Sequence, residues 1–228
     1  MSGRGEPEVV KLPLMRRAMA RRMVEAAAVP CFYLRVTADA SGLVAARARL
    51  KAEGAAVVPS LNDFVVAATG RALRDHPEVN ASWADNTVER HPRVNVGVAV
   101  AIEGGLVVPA VYDADRLTAV EVNAAVREIA ALAAARKLGR ELLEDPTFTV
   151  SNLGMYGIED FDPVVNPPQA AILGVGSVVG GGMRLTLGCD HRVLTGAEGA
   201  PFLTAIRDRL ADPDELLAAP APREEAVA

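Results

Sequence analysis

Two side chains at the ends of apolar runs offer this sequence its chemistry. The run "MRLTLGCDH" ends on His191, and "TFTVSN" carries Ser151 just before its end. A histidine takes and returns protons near neutral pH, and a serine hydroxyl either attacks a carbonyl or donates to a developing oxyanion. Along residues 183–191 the period of two sets Met183, Leu185, Leu187, Cys189 and His191 on one face, so the imidazole is expected on the apolar side. From that pattern alone, a satisfied interior histidine is the plainer reading. Thr149 and Ser151 share one face of their run, and Phe148 and Val150 take the other. Because Asn-Leu-Gly follows, the Ser151 hydroxyl equally suits the backbone of a turn. "VSNLG" lacks the glycine two positions before serine that a nucleophile elbow uses, and no acid completes a Ser–His triad. Of the two chemical roles, donor to an oxyanion is therefore the better.

Other candidates fall away. His76 and His91 each precede a proline in polar surroundings and read as turn residues. Cys31 and Cys189 lie in strand-like apolar contexts without metal-ligand spacing, which suits a reducing compartment better than a disulfide framework. The 24 basic residues include only Lys11, Lys51 and Lys137 as lysines, leaving few candidates for a lysine-based covalent mechanism. "GVGSVVGGG" contains GxG but leads into further strand-like sequence, whereas phosphate cradles open a helix, so a hairpin turn is expected there. A net charge of -5 argues against nucleic acid as the main partner. With neither a signal peptide nor a long uncharged apolar span, the protein is expected to be soluble and cytoplasmic, with no membrane partner.

The elements that must position these residues are legible in outline. With 228 residues, half of them hydrophobic, the chain can bury a substantial core. Residues 1–11 read as a flexible arm and 213–228 as a disordered tail, with one domain over 12–212 between them. Met15, Met19 and Met23 recur at helical spacing, with Pro13 at the start, Pro30 beyond the end and four arginines on the other faces. "CFYLRVTAD" reads as a strand, and Ser41 is expected to cap a helix running to about Glu53. Ser60 with Asp63 and Thr118 with Glu121 have capping-box spacing before two further helices. "VNVGVAVAI" and "LVVPAVY" read as strands joined by a hairpin at Glu103-Gly104-Gly105. "TFTVSN", "QAAILGVGSVV" and "MRLTLGC" follow, the last two joined at Gly180-Gly181-Gly182, and a final helix covers about 198–211. Mixed helices and strands with several hairpins favour an α/β sandwich with a mixed β-sheet flanked by helices.

Taken in order, "MRRAMARRM", "SLNDFVVAATGRALRDHPEVNASW", "NVGVAVAIEGGLVVPAV", "FTVSNLGMYGIEDFDPVVNPPQAAILGVG" and "LGCDHRV" resemble the catalytic domain of the dihydrolipoamide acyltransferases, the core components of 2-oxo acid dehydrogenase complexes. The chain is similar, more distantly, to chloramphenicol acetyltransferase. The resemblance covers residues from about 12 to 212. It implies the chloramphenicol acetyltransferase-like fold and a homotrimer with active sites at subunit interfaces. Coenzyme A would enter from one side and the lipoyl arm from the other. The family's histidine maps onto His191 and its oxyanion-stabilising serine onto Ser151, the two supplied by different subunits. Coenzyme A or acyl-CoA is then a substrate, the lipoyl group comes in trans or from domains outside this chain, and no metal is expected. Expected partners are a lipoyl-domain protein and other components of a 2-oxo acid dehydrogenase complex.

Two departures from the family pattern matter. DHRVLTG stands where the family reads DHRVxDG, so Thr195 replaces an aspartate that in relatives supports the site by pairing with an arginine, for which Arg16 is the counterpart by position. Thr195 and Glu198 themselves have capping-box spacing, so the cap can survive without the charge. Arg16 is then expected either to re-pair with Asp190 or Glu198 or to be solvated. The second departure is that no lipoyl-carrying or subunit-binding segment precedes the catalytic stretch in this sequence, and an Ala/Pro/Glu-rich tail follows it where relatives often have an apolar segment joining trimers into shells. Two alternatives to dihydrolipoamide acyl transfer remain at this level: a non-catalytic trimeric scaffold or acyl-CoA binder, and an acyl-CoA-dependent transferase with a small hydroxyl or amine acceptor.

Overall fold

In a computed structural model, described over residues 6–102 and 105–221, one mixed sheet organises the chain. Strand β1 (Cys31–Asp39) is followed by β2 (Ala81–Ala84), β3 (Thr87–Arg90), β4 (Val96–Val98), β5 (Val100–Ile102), β6 (Gly105–Val107), β7 (Ala110–Val111), β8 (Phe148–Asn152), β9 (Ala171–Val179) and β10 (Gly182–Asp190). The main sheet runs β1-β10-β9-β8-β4-β7; β8 is parallel to both β9 and β4, and the other neighbours are antiparallel. Between them lie helices α1 (Leu14–Ala27), α2 (Ser41–Ala52), α3 (Leu61–Asp75), α4 (Ala119–Ala134), α5 (Arg140–Glu144), α6 (Gly196–Leu210) and α7 (Pro213–Leu217). No helix among the described residues is long and apolar enough to cross a membrane.

Helices α3 and α6 bury one face of the sheet, where Phe64, Phe148 and Phe202 are fully enclosed and the rings of Phe148 and Phe202 meet edge to face at 5.6 Å. The other face is crossed by the irregular segment after Ser151. That crossing explains the glycines of "GVG": a Cβ on Gly176 would stand 2.0 Å from the Glu159 carbonyl oxygen, and one on Gly174 would press on Phe161 and Pro163. The hairpin expected at Gly180-Gly181-Gly182 is formed there, by Gly180 and Gly181 at φ of +58° and +86°, values that L side chains rarely adopt.

Several expectations need correction. Ser41 does not cap α2; its backbone N–H donates to the Asp39 carboxylate (2.8 Å), and Ala40 occupies the cap position. "VNVGVAVAI" is two strands, with β4 in the main sheet and β5 in a separate hairpin with β6, whose turn residues Glu103 and Gly104 lie outside the described residues. The tail does not begin at 213. Asp212 accepts from the Glu215 N–H (3.1 Å), Pro213 starts the short helix α7, and Leu216 is completely buried. Arg71, buried in α3, fastens that helix by donating to the carbonyls of Glu215 (2.6 Å) and Ala218 (2.7 Å).

Candidate active site

Ser151 is the penultimate residue of β8. It pairs with Gly174 of β9, which pairs in turn with Thr186 of β10. Its side chain is half-buried, and its hydroxyl makes no hydrogen bond among the described residues. The turn beyond it is satisfied by Asn152 instead: that carboxamide accepts the Gly154 N–H (2.8 Å) and donates to Asn62 (2.9 Å) in the first turn of α3. The bland reading of Ser151 as a turn-satisfying hydroxyl therefore fails, because its neighbour takes that role. Asn152 also borders a cleft of about 370 Å³, lined among others by Arg47, Ser60, Asn62, Met155 and Ser177. Ser60 caps α3 there as its spacing foretold, accepting from the Asp63 N–H (3.2 Å) while the Asp63 carboxylate accepts from the Ser60 N–H (2.6 Å). Arg47 is held over the cleft by an Nε–H donated to the Pro59 carbonyl (2.7 Å).

His191 stands one residue past β10, and it is exposed, which overturns its expected place on the interior face. The physical reason is local. The Asp190 carbonyl accepts the N–H groups of Val193 (3.0 Å) and Leu194 (2.9 Å), so the chain turns before the strand's alternation reaches His191. The His191 N–H donates to the Pro30 carbonyl (2.9 Å), and its ring lies against Phe32 of β1, centroids 4.6 Å apart. Beside it, the almost completely buried Asp190 carboxylate is gripped by Arg192, whose guanidinium stacks 4.8 Å from the Trp83 ring centroid. Asn152, Phe32 and Arg192 escaped sequence reasoning; for Asn152 and Arg192 the one available signal was adjacency to Ser151 and His191.

The register sets how far apart the two candidates lie. His191 is five residues beyond Thr186 along β10, and Ser151 is two strands across from Thr186. At about 3.3 Å per residue and 4.8 Å per strand, their Cα atoms are roughly 19 Å apart. No single carbonyl group sits within hydrogen-bond reach of both side chains of one chain.

Thr195 caps α6: the Glu198 carboxylate accepts both its backbone N–H and its hydroxyl, each at 2.8 Å. Those two bonds, the backbone one foremost, hold the Glu198 carboxyl below its ordinary range. The alternative partners proposed for Arg16 are thus taken, Glu198 by Thr195 and Asp190 by Arg192. Arg16 is exposed on α1 and forms no ion pair among the described residues. His76 and His91 bond to Glu78 (3.3 Å) and to the Ser82 hydroxyl (2.8 Å) and are not brought to either candidate residue. Both cysteines are free; burial pushes the Cys189 thiol up to about 12, and burial followed by the neighbouring Asp190 charge raises Cys31. No group of three or more His, Cys, Asp or Glu side chains among the described residues is arranged to hold a metal ion.

A six-stranded mixed sheet flanked by helices defines a class of fold. Chloramphenicol acetyltransferase shares this fold over 83% of the chain and 94% of its own, with a TM-score of 0.54 at 14% identity. Within that class the chain belongs to the 2-oxoacid dehydrogenases acyltransferase (catalytic domain) family, whose model matches residues 4–218. It is 38% identical to the dihydrolipoyllysine-residue acetyltransferase component of the pyruvate dehydrogenase complex of Rhizobium meliloti, over 93% of this chain and 52% of that protein. The chain thus spans about half the length of the curated relatives it matches. A crystallographic and enzymatic study of Azotobacter vinelandii dihydrolipoamide acetyltransferase, concerned with the catalytic roles of a serine, a histidine and an asparagine, gives a TM-score of 0.86 at 31% identity, covering 94% of this chain and 95% of that one. The cubic core of a pyruvate dehydrogenase multienzyme complex gives 0.87 at 31% identity, covering 95% and 96%.

Proposed function

We propose that this chain is the catalytic part of a dihydrolipoamide acyltransferase, moving an acyl group between dihydrolipoamide and coenzyme A in an assembly with other components of a 2-oxo acid dehydrogenase complex. Family membership supplies the reaction class. The observation that carries the mechanism is the unengaged Ser151 hydroxyl at the end of β8, with the exposed His191 imidazole too far away to serve the same chain's serine. The site is accordingly shared in a homotrimer: Ser151 of one protomer faces His191 of its neighbour, and each protomer contributes to two sites. Coenzyme A enters from one side of the shared site, and the lipoyl arm arrives from the opposite side.

The chemistry follows from these groups. A free thiol with a pKa of about 8.5 is only a few per cent thiolate at neutral pH, so a positioned base matters. The His191 imidazole takes the thiol proton as sulfur bonds to the thioester carbonyl carbon, and the carbonyl electrons move onto oxygen. Ser151 donates to that oxyanion. When the C=O bond re-forms, the other C–S bond breaks, and the departing thiolate takes back the proton from the imidazolium. Nothing is oxidised or reduced.

Thr195 fits this reading. In the Azotobacter protein the asparagine under study follows the histidine by four positions, the spacing of Thr195 after His191. An uncharged hydrogen-bonding side chain is therefore compatible with catalysis at that position. The test is to incubate the folded protein with acetyl-, propionyl- and isobutyryl-CoA and free dihydrolipoamide. S-acyl dihydrolipoamide is expected from at least one donor; no product from any of them refutes the reading, and acyl-CoA consumption without a dithiol would move the acceptor to another class.

A further inference from the structure

We propose that Arg192 is a positioning residue for His191, an inference that rests on the proposed role of His191 as the base. The two residues flanking His191 are tied to each other. Asp190 is 1% exposed, and its carboxylate accepts the Arg192 backbone N–H (3.0 Å), its Nε–H (3.0 and 3.2 Å to the two oxygens) and its Nη2–H (2.6 Å). The other side of the guanidinium rests on Trp83, which β2 and a bond from its N–H to the Pro168 carbonyl (2.9 Å) hold in place. A surface ion pair contributes little, but here one partner is out of water, and leaving it alone is expensive. The grip is two-pronged, so it fixes direction as well as proximity.

This clamp leaves the His191 backbone no freedom to swing. Its N–H is held by Pro30, and the two residues that follow Arg192 return their N–H groups to Asp190. Only the side-chain torsions remain, and Phe32, paired with Cys189 in the sheet, supplies the surface on which the ring settles. Charged and titratable groups around the clamp are few: Cys31 lies opposite Asp190 in the register, and its raised thiol stays protonated at neutral pH. Arg192 thus acts through Asp190 and the turn on where the imidazole points, without touching substrate.

The test compares the parent, His191→Ala and Arg192→Ala for transfer from acyl-CoA to dihydrolipoamide. A misplacement of about 1 Å at a reacting group costs up to about 100-fold in rate. Arg192→Ala is therefore expected to lose about 10- to 100-fold in kcat while KM for both thiol substrates stays within about two-fold. Added guanidinium ion, at fixed ionic strength, is expected to restore part of that kcat by refilling the site. Parental kcat, a loss carried by KM, or a kcat that guanidinium leaves unchanged each overturns the proposal. If Arg192→Ala does not fold, Arg192→Lys carries the same comparison, since it keeps the charge against Asp190 and loses the fork; parental kcat there is likewise fatal. Histidine labelled with ¹³C at Cε1 gives a readout independent of turnover. The His191 signal, displaced by the Phe32 ring, should move toward that of a free exposed histidine in the Arg192 variant while those of His76 and His91 stay. An unmoved His191 signal overturns the positioning role even where the parent proves inactive. An active parent with an inactive His191→Ala and a fully active Arg192→Ala overturns this inference alone.

Discussion

If Ser151 and His191 belong to different protomers of one site, two dead variants must revive each other. The perturbation is a pair of substitutions, Ser151→Ala and His191→Ala, made in separate preparations. Alone, the first removes an oxyanion donor and should cost about 10²- to 10³-fold in kcat. The second removes the base, for about 10²- to 10⁴-fold. The separation of roughly 19 Å read from the register forbids a site within one chain. A working site therefore needs the serine of a His191→Ala protomer next to the histidine of a Ser151→Ala protomer. In randomly reassorted trimers at equal input, that arrangement arises at about one site in four, so about a quarter of parental activity should return. Unfolding and refolding the two variants together, with differently tagged chains to prove exchange, and then assaying acyl transfer measures it. Proven exchange with activity no higher than the variants alone would refute the shared site and the geometry behind it.

Gly176→Ala drives a Cβ to 2.0 Å from the Glu159 carbonyl oxygen, backbone against backbone, so a loss of about 3 kcal/mol or more is expected in denaturant unfolding. At pH 8 a thiol reagent should leave Cys189 untouched in the folded protein, because burial holds its thiol near 12, and label it fully in denaturant. The Glu121 and Glu198 carboxyls are held low by bonds from Thr118 and Thr195, so the folded state binds fewer protons there than the unfolded. Their contribution is complete above the ordinary glutamate value of about 4.3 and drains as pH falls through their folded values; a Glu121→Gln, Glu198→Gln double variant should show a flatter loss in unfolding experiments between pH 6 and 3. Thr195→Ala, which deletes the hydroxyl bond to Glu198, should cost about 1 kcal/mol in thermal unfolding.

What could be read in advance depended on whether the cause was local. Three capping boxes, at Ser60, Thr118 and Thr195, were visible because each closes within three residues. The β2–β3 hairpin is equally local: Asp85 and Asn86, both at positive φ, are the turn chemistry that announces it. Helix α7 was also announced, by Asp212 and Pro213, but its composition resembles a solvated tail, and only the buried Arg71, 144 residues away, explains why it docks. Gly174 and Gly176 had no local cause at all, since the backbone they admit arrives from the preceding loop.

His191 shows the same division at the place where function turns on it. Alternation works only while a ladder continues, and here the ladder stops at Asp190 because Asp190 spends its carbonyl on the turn and its carboxylate on Arg192. Every side chain from Leu185 to Asp190 is buried, so polarity no longer marks a face, and parity carried one residue too far put the imidazole inside. The outcome is a histidine with an exposed ring on a backbone held at Pro30 and Asp190, an arrangement that suits the proposed base for a neighbouring chain. An interior histidine would have been satisfied within its own fold; one whose ring is exposed beside the buried Asp190 carboxylate is left open to a neighbouring chain.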